Sequence, residues 1–192
     1  MTILFSHFRK ALFKRRLAPL HRSLGIPPDY ARVRELPVYL EPAGLVDIGD
    51  DIHGRPQRLI EPAARAWGAL VEAAEVEGVE LQLVSAFRSV EYQEAIIRRK
   101  LNKGQSMQEI LSVSAAPGYS EHHSGRAVDV STPGFEPLEE EFERSGAFAW
   151  LCSSARGFGF CLSYPRGNPH GVAYEPWHWA WWGDSPRKLC RP

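Results

Sequence analysis

The chain has 192 residues, and its 23 Lys+Arg balance 23 Asp+Glu for a formal net charge of zero. That length fills one domain without requiring two, and the balanced charge offers no global field toward nucleic acid or an anionic membrane, so no nucleic-acid partner is expected. Cys152, Cys161 and Cys190 are odd in number and form no C-x-x-C pair, which excludes a disulfide scaffold or a structural zinc ribbon. Three reduced cysteines are expected, two of them buried near Phe160 and Trp150, with one bridge and one free thiol as the alternative.

Along the chain, residues 1–58 read as an irregular N-terminal extension with a basic amphipathic start. Arg9, Lys10, Lys14, Arg15, Arg16, His21 and Arg22 interleave there with Leu4, Phe5, Phe8, Leu12, Phe13, Leu17 and Leu20. Such a helix either packs its apolar side on the domain, the favoured reading, or lies on a membrane surface. It is not a convincing secretory signal, since no uninterrupted apolar segment follows the basic residues. No stretch approaches the roughly 20 apolar residues of a membrane span. Turn residues punctuate the rest of the extension, and Val38–Leu40 is a candidate short strand.

From Pro62 the spacing of Ala64, Trp67, Leu70, Val71 and Ala74 predicts a helix ended by Gly78. Residues 79–84 alternate as a strand, and Ser89 caps a second helix through about Lys103. Ala127-Val128-Asp129-Val130 alternates again, turning Asp129 away from its valine neighbours. Gly125 before it lets the backbone bend or approach closely. A third helix is expected from the Ser145 region to Arg156, then strands over 158–164 and 174–182 joined by a hairpin-like connection. Helices and short strands without a strict βαβ rhythm give the α+β class: a central antiparallel sheet with flanking helices.

Two distant motifs carry the chemistry. Ser120-Glu121-His122 runs on to Gly125 and Asp129, and Glu175-Pro176-Trp177-His178 follows near the end. A catalytic zinc keeps three protein ligands and leaves a fourth position for water, and His122, Asp129 and His178 supply two imidazoles and a carboxylate. Glu175, three residues before the second histidine, reaches a water beside the metal without ligating. Zinc suits this set better than magnesium or calcium, which favour oxygen. His123 is excluded as a ligand, because adjacent strand residues point to opposite faces. Arg88 falls at a strand end beside a helix start, where a rigid scaffold aims a long side chain into a cleft; its bland alternative is a surface salt bridge with Glu91 or Glu94.

These motifs, with Ser85-Ala86-Phe87-Arg88-Ser89, Tyr92-Gln93, Pro117-Gly118-Tyr119 and Gly159-Phe160-Cys161-Leu162-Ser163-Tyr164-Pro165, resemble the VanY-like D-alanyl-D-alanine carboxypeptidases. That zinc-peptidase group also includes VanX dipeptidases and L,D-carboxypeptidases. The resemblance covers roughly residues 60 to 183 and implies a zinc carboxypeptidase domain over 59–192, with the zinc cleft on the sheet. It implies one Zn2+ on His122, Asp129 and His178, with Glu175 as catalytic base and Arg88 stabilising substrate or oxyanion. Gln93, Ser120, Tyr164 and Trp177 match positions that line the substrate cleft in relatives. The implied substrate is a peptidoglycan stem peptide or muropeptide, losing a terminal D-alanine; an L,D-carboxypeptidase on tetrapeptides or a non-catalytic cell-wall-binding zinc module are the alternatives. The family works on the cell envelope, whereas this chain shows no clear export signal, which leaves a cytoplasmic site open. His123 in place of glutamine and Trp179-Ala180-Trp181 in place of an aromatic-arginine-tyrosine run are the departures.

Overall fold

The computed structural model describes residues 2–183, with side chains from Phe8 onward. Helix α1 (Thr2–Leu24) opens the chain and a single turn, α2 (Tyr30–Val33), follows. The antiparallel hairpin β1 (Val46–Asp50) and β2 (Pro56–Leu59) leads into α3 (Glu61–Val76), which has Pro62 in its first turn. Strand β3 (Gln82–Ser85) precedes α4 (Val90–Asn102), capped as expected by Ser89 Oγ accepting from Tyr92 N at 3.1 Å. After α5 (Met107–Val113) and a 3-10 turn over Glu121–Ser124 come β4 (Ala127–Ser131), α6 (Gly146–Ser154), β5 (Phe160–Leu162) and β6 (His178–Trp181).

Strands β3, β4, β6 and β5 form one wholly antiparallel sheet in that order. Strand β4 is buried along its whole length, as a central strand must be. One sheet face packs Val128, Val130, Phe160 and Trp179 against Ala63, Trp67, Leu70 and Ala74 of α3 and Leu151 of α6. The α3 residues recur at helical spacing, and the fully buried Leu70 among them contributes roughly 1.5–3 kcal/mol. A second apolar cluster joins Leu17 and Leu24 of α1 to Tyr30, Leu36, Val38, Ile97 and Ile110. Alternation along β4 and β6 leaves Asp129 and His178 on the face away from Val128 and Trp179.

The N-terminal 58 residues are not irregular. Helix α1 and the β1–β2 hairpin occupy much of them, and Val38–Leu40, expected as a strand, is a buried extended segment in which Tyr39 N donates to Gly118 O at 2.9 Å. Among the described side chains of α1, Leu17 and Leu24 are buried on the domain, whereas Phe8 and Leu12 are exposed. No described helix is long and apolar enough to cross a membrane. The last two strands are shorter than expected; the final one starts only at His178, after a turn in which His178 N donates to Glu175 O at 3.1 Å. The expectation of three reduced, mostly buried cysteines is also corrected. Cys152 is free but exposed, and Cys161 on edge strand β5 is disulfide-bonded. Spacing along the chain does not reveal such a pairing.

Candidate metal centre

Strand register builds the centre. Asp129 lies opposite His178 across the β4–β6 pair and opposite Ser85 across the β3–β4 pair. His122 arrives from the 3-10 turn, which ends at Gly125 in the left-handed region (φ 64°). A Cβ at Gly125 would stand 2.8 Å from Leu45 Cδ2, so a side chain there would push the turn away from the hairpin.

The three donors are buried and their ligand atoms lie within 4.8 Å of one another. His122 Nε2 is 3.2 Å from Asp129 Oδ2, and His178 Nδ1 is 3.2 Å from Asp129 Oδ1. That Oδ1 is fully buried without a well-aligned hydrogen bond, leaving a lone pair aimed among the donors. Each imidazole is tethered through its other nitrogen: His122 Nδ1 to Ala86 O at 2.6 Å, His178 Nε2 to Glu121 Oε2 at 3.1 Å. Metal-bound histidines are held in this way, with one nitrogen on an outer acceptor and one facing the ion. Two imidazoles and a carboxylate are a zinc donor set. The residues present therefore fit the ion the sequence implies.

Electrostatics agree with the donor geometry. Burial pushes the Asp129 carboxyl up, but the two imidazoles outweigh it and hold the group well below the usual carboxylate range. Burial lowers His122, which favours the neutral imidazole that ligation requires. At His178 burial is outweighed by hydrogen bonds to Asp129 and Glu121, and the ring is pushed up to about 10. A pocket this attractive to a proton attracts a divalent cation for the same reason.

Glu175 stands at the edge of the cluster, its Oε2 3.6 Å from His178 Nδ1. Burial raises its carboxyl to about 7, reinforced by the negative charges of Asp129 and Glu121 and opposed by His178 and Arg88. Arg88 makes no surface pair with Glu91 or Glu94. Its Nη2 is 3.4 Å from Asp129 Oδ2, and Nη1 donates to Gln93 Oε1 at 3.0 Å.

These groups open on a cleft of about 710 Å³, whose walls include Ser120, Tyr164 and Trp177. The Tyr164 ring lies 4.8 Å from that of His178. Gln93, expected against substrate, is instead fully buried: Nε2 donates to Ala115 O at 2.7 Å while Oε1 accepts from Arg88, so the side chain holds the arginine. His123 stays outside the donor group, but not because of strand alternation, since it sits in the 3-10 turn. Its Nδ1 is 2.6 Å from Arg88 O, and its Nε2 accepts from Gly118 N at 3.0 Å. Glu121 and Tyr39 were not singled out from sequence. The Glu121 signal was its place beside His122, whereas Tyr39 had none.

Sheet, donor set and neighbouring carboxylate point to a class: a hydrolase with a His-Asp-His group that could hold a metal ion. The profile of the family "VanY: D-alanyl-D-alanine carboxypeptidase" matches residues 56–184. The chain belongs to that family. It is 34% identical over 185 residues to "Putative carboxypeptidase YodJ" of Bacillus subtilis, covering 91% of this chain and 63% of that protein. It is 32% identical over 124 residues to a D-alanyl-D-alanine carboxypeptidase of Enterococcus faecalis, covering 59% and 44%. The chain thus spans less than two thirds of the length of these two relatives. Among solved structures, the LdcB LD-carboxypeptidase superposes with a TM-score of 0.63 at 34% identity, covering 73% of this chain and 69% of that one. A VanY D,D-pentapeptidase variant from the VanB-type resistance cassette, in complex with Zn(II), gives 0.59 at 28% identity, covering 76% and 86%.

Proposed function

We propose that this chain is a zinc-dependent D-alanyl-D-alanine carboxypeptidase that removes the terminal D-alanine from peptidoglycan stem peptides or their precursors, through a catalytic domain spanning 59–192. The observation that carries the reading is the position of the Glu175 carboxyl, buried and facing the His122–Asp129–His178 group from the same cleft as Arg88. His122, Asp129 and His178 hold one zinc ion, which when bound polarises the scissile carbonyl and lowers the pKa of water to about 7.

Glu175 takes the proton of the attacking water and returns it to the departing amine, a task suited to a carboxyl titrating near neutrality. Arg88, held by Gln93 and Ser85, directs its guanidinium toward the charge that develops on the carbonyl oxygen. Ser120, Tyr164 and Trp177 line the peptide's path. A binding module without catalysis has no use for a buried carboxyl at this place, which counts against that alternative.

An L,D-carboxypeptidase acting on tetrapeptide stems is the second reading, favoured by the resemblance to LdcB in fold and sequence. Mass spectrometry of muropeptides incubated with zinc-loaded or chelated protein separates the two. Chelator-sensitive loss of one alanine from pentapeptide stems alone supports the first reading, and loss from tetrapeptides the second. No cleavage of either by zinc-bound protein refutes both.

A further inference from the structure

His178 differs from His122 in what holds its outer nitrogen. His122 leans on a backbone carbonyl, fixed by the chain path. His178 depends on the Glu121 side chain, itself buried and engaged on its other oxygen: Tyr39 Oη donates to Glu121 Oε1 at 3.0 Å while Oε2 meets His178 Nε2. A 3-10 turn advances about 120° per residue. Glu121, His122 and His123 therefore leave the backbone in three directions, toward His178, Asp129 and Arg88 O respectively. Tyr39 is pinned in turn, since its N donates to Gly118 O just before the turn, and a Cβ on Gly118 would collide with Leu17 of α1. Two residues on, Glu41 Oε1 accepts from Val90 N at 2.6 Å at the start of α4. The segment carrying Tyr39 thus braces both loops that feed the centre, although it precedes the region that the family profile matches.

We propose that Tyr39 and Glu121 form a positioning relay that fixes the ring orientation and tautomer of His178, turning Nδ1 toward the metal and thereby setting the affinity of the centre for zinc. The inference rests on the metal-site reading of the proposed function. Glu121 acts through His178 and Tyr39 through Glu121; neither touches substrate. Outer partners of metal-bound histidines typically contribute about 10–100-fold in metal affinity.

The test measures the zinc Kd of the full chain by competition with a chromophoric chelator, together with the visible spectrum of the Co(II)-loaded protein. Circular dichroism of the metal-free variants verifies folding. Glu121→Leu is expected to weaken zinc binding about 10–100-fold and to alter the Co(II) bands. Glu121→Gln, which keeps an acceptor oxygen for His178, is expected to recover most of that loss. Tyr39→Phe leaves the ring packing intact and keeps the test open if Glu121→Leu does not fold; its expected loss is about three- to tenfold, below the direct partner's range. Folded Glu121→Leu and Tyr39→Phe proteins that bind zinc like the parent, with unchanged Co(II) spectra, overturn the relay alone. A parent chain that binds no zinc overturns the metal-site reading and the relay with it.

Discussion

Replacing Glu175 by glutamine removes a proton acceptor while preserving shape. A positioned general base contributes roughly 10²–10⁴-fold, so kcat should fall by that factor, equivalent to about 3–5 kcal/mol at 1.36 kcal/mol per tenfold. Zinc affinity should stay within about threefold, well short of the 10–100-fold loss that even an outer partner of a ligand brings. The reason lies in the geometry: the converging donors are His122, Asp129 and His178, and Glu175 is a separate carboxyl raised to about 7 by burial. A group poised between protonation states near neutrality carries protons better than it anchors a cation. The same burial makes the charged carboxylate costly, so the amide should leave the melting temperature unchanged or raise it. Initial rates of alanine release from pentapeptide muropeptides and chelator competition on one preparation test both halves. Activity within tenfold of the parent would refute Glu175 as the base. A zinc Kd weakened by more than about a hundredfold, beyond the range of an outer partner, would show that Glu175 is a ligand.

Arg88→Met should lower kcat by about 10²–10³-fold, the range for losing one donor to a developing oxyanion, with zinc retained. Gln93→Leu, which frees that arginine and also removes the donor to Ala115 O, should cost less in kcat, and steady-state kinetics on one substrate rank the two. Dialysis against a chelator should abolish turnover and lower the melting temperature, with zinc restoring both; at about 1,000-fold excess over Kd the ion contributes roughly 4 kcal/mol, read by calorimetry. Asp51→Asn should destabilise the fold by about 2 kcal/mol at pH 7, because the buried carboxylate accepts from His53 N, Arg55 N, Arg55 Nε and Gln57 Nε2. Burial pushes that carboxyl up, yet these bonds outweigh it and lower its pKa. Its contribution is therefore complete above the unfolded value near 3.9 and fades as pH falls through the lower folded one, so the stability gap between parent and variant in urea titrations should narrow progressively as pH is lowered below the unfolded value.

The centre was readable from sequence where local pattern determines local geometry. Strand alternation around Asp129 and the Glu175–His178 spacing put donors and base on one side of a strand or turn, and the observed register keeps them there. Helix α3 was readable because its buried residues repeat along its length. Helix α5 was not, since seven residues give too little apolar period, although Ser106 and Glu109 form a capping box that sequence alone displays. The first 58 residues misled for a different reason. Among the described side chains of α1, Leu17 and Leu24 pack while Phe8 and Leu12 stay exposed, so the pattern does not match a fully docked helix. Tyr39 and Gln93 show the limit most sharply: their contacts, to Glu121 in one case and to Arg88 and Ala115 in the other, are set by how distant segments pack, and no spacing rule encodes them.

This division bears on specificity. The metal donors and Arg88 sit on the sheet or in turns tied directly to it, so the chemistry is fixed by register and survives large changes elsewhere. The outer cleft is different: Leu138, Glu139 and Glu140 come from one connection, and Val172, Ala173 and Tyr174 from another. Loops tolerate substitution and insertion far better than a central strand does. On the proposed function, a change in those two connections should alter which peptide enters without disturbing the bond-breaking groups. D,D- and L,D-carboxypeptidases can therefore share one sheet and one donor set, and exchanging these loops with those of a relative should move stereospecificity while leaving zinc affinity in place.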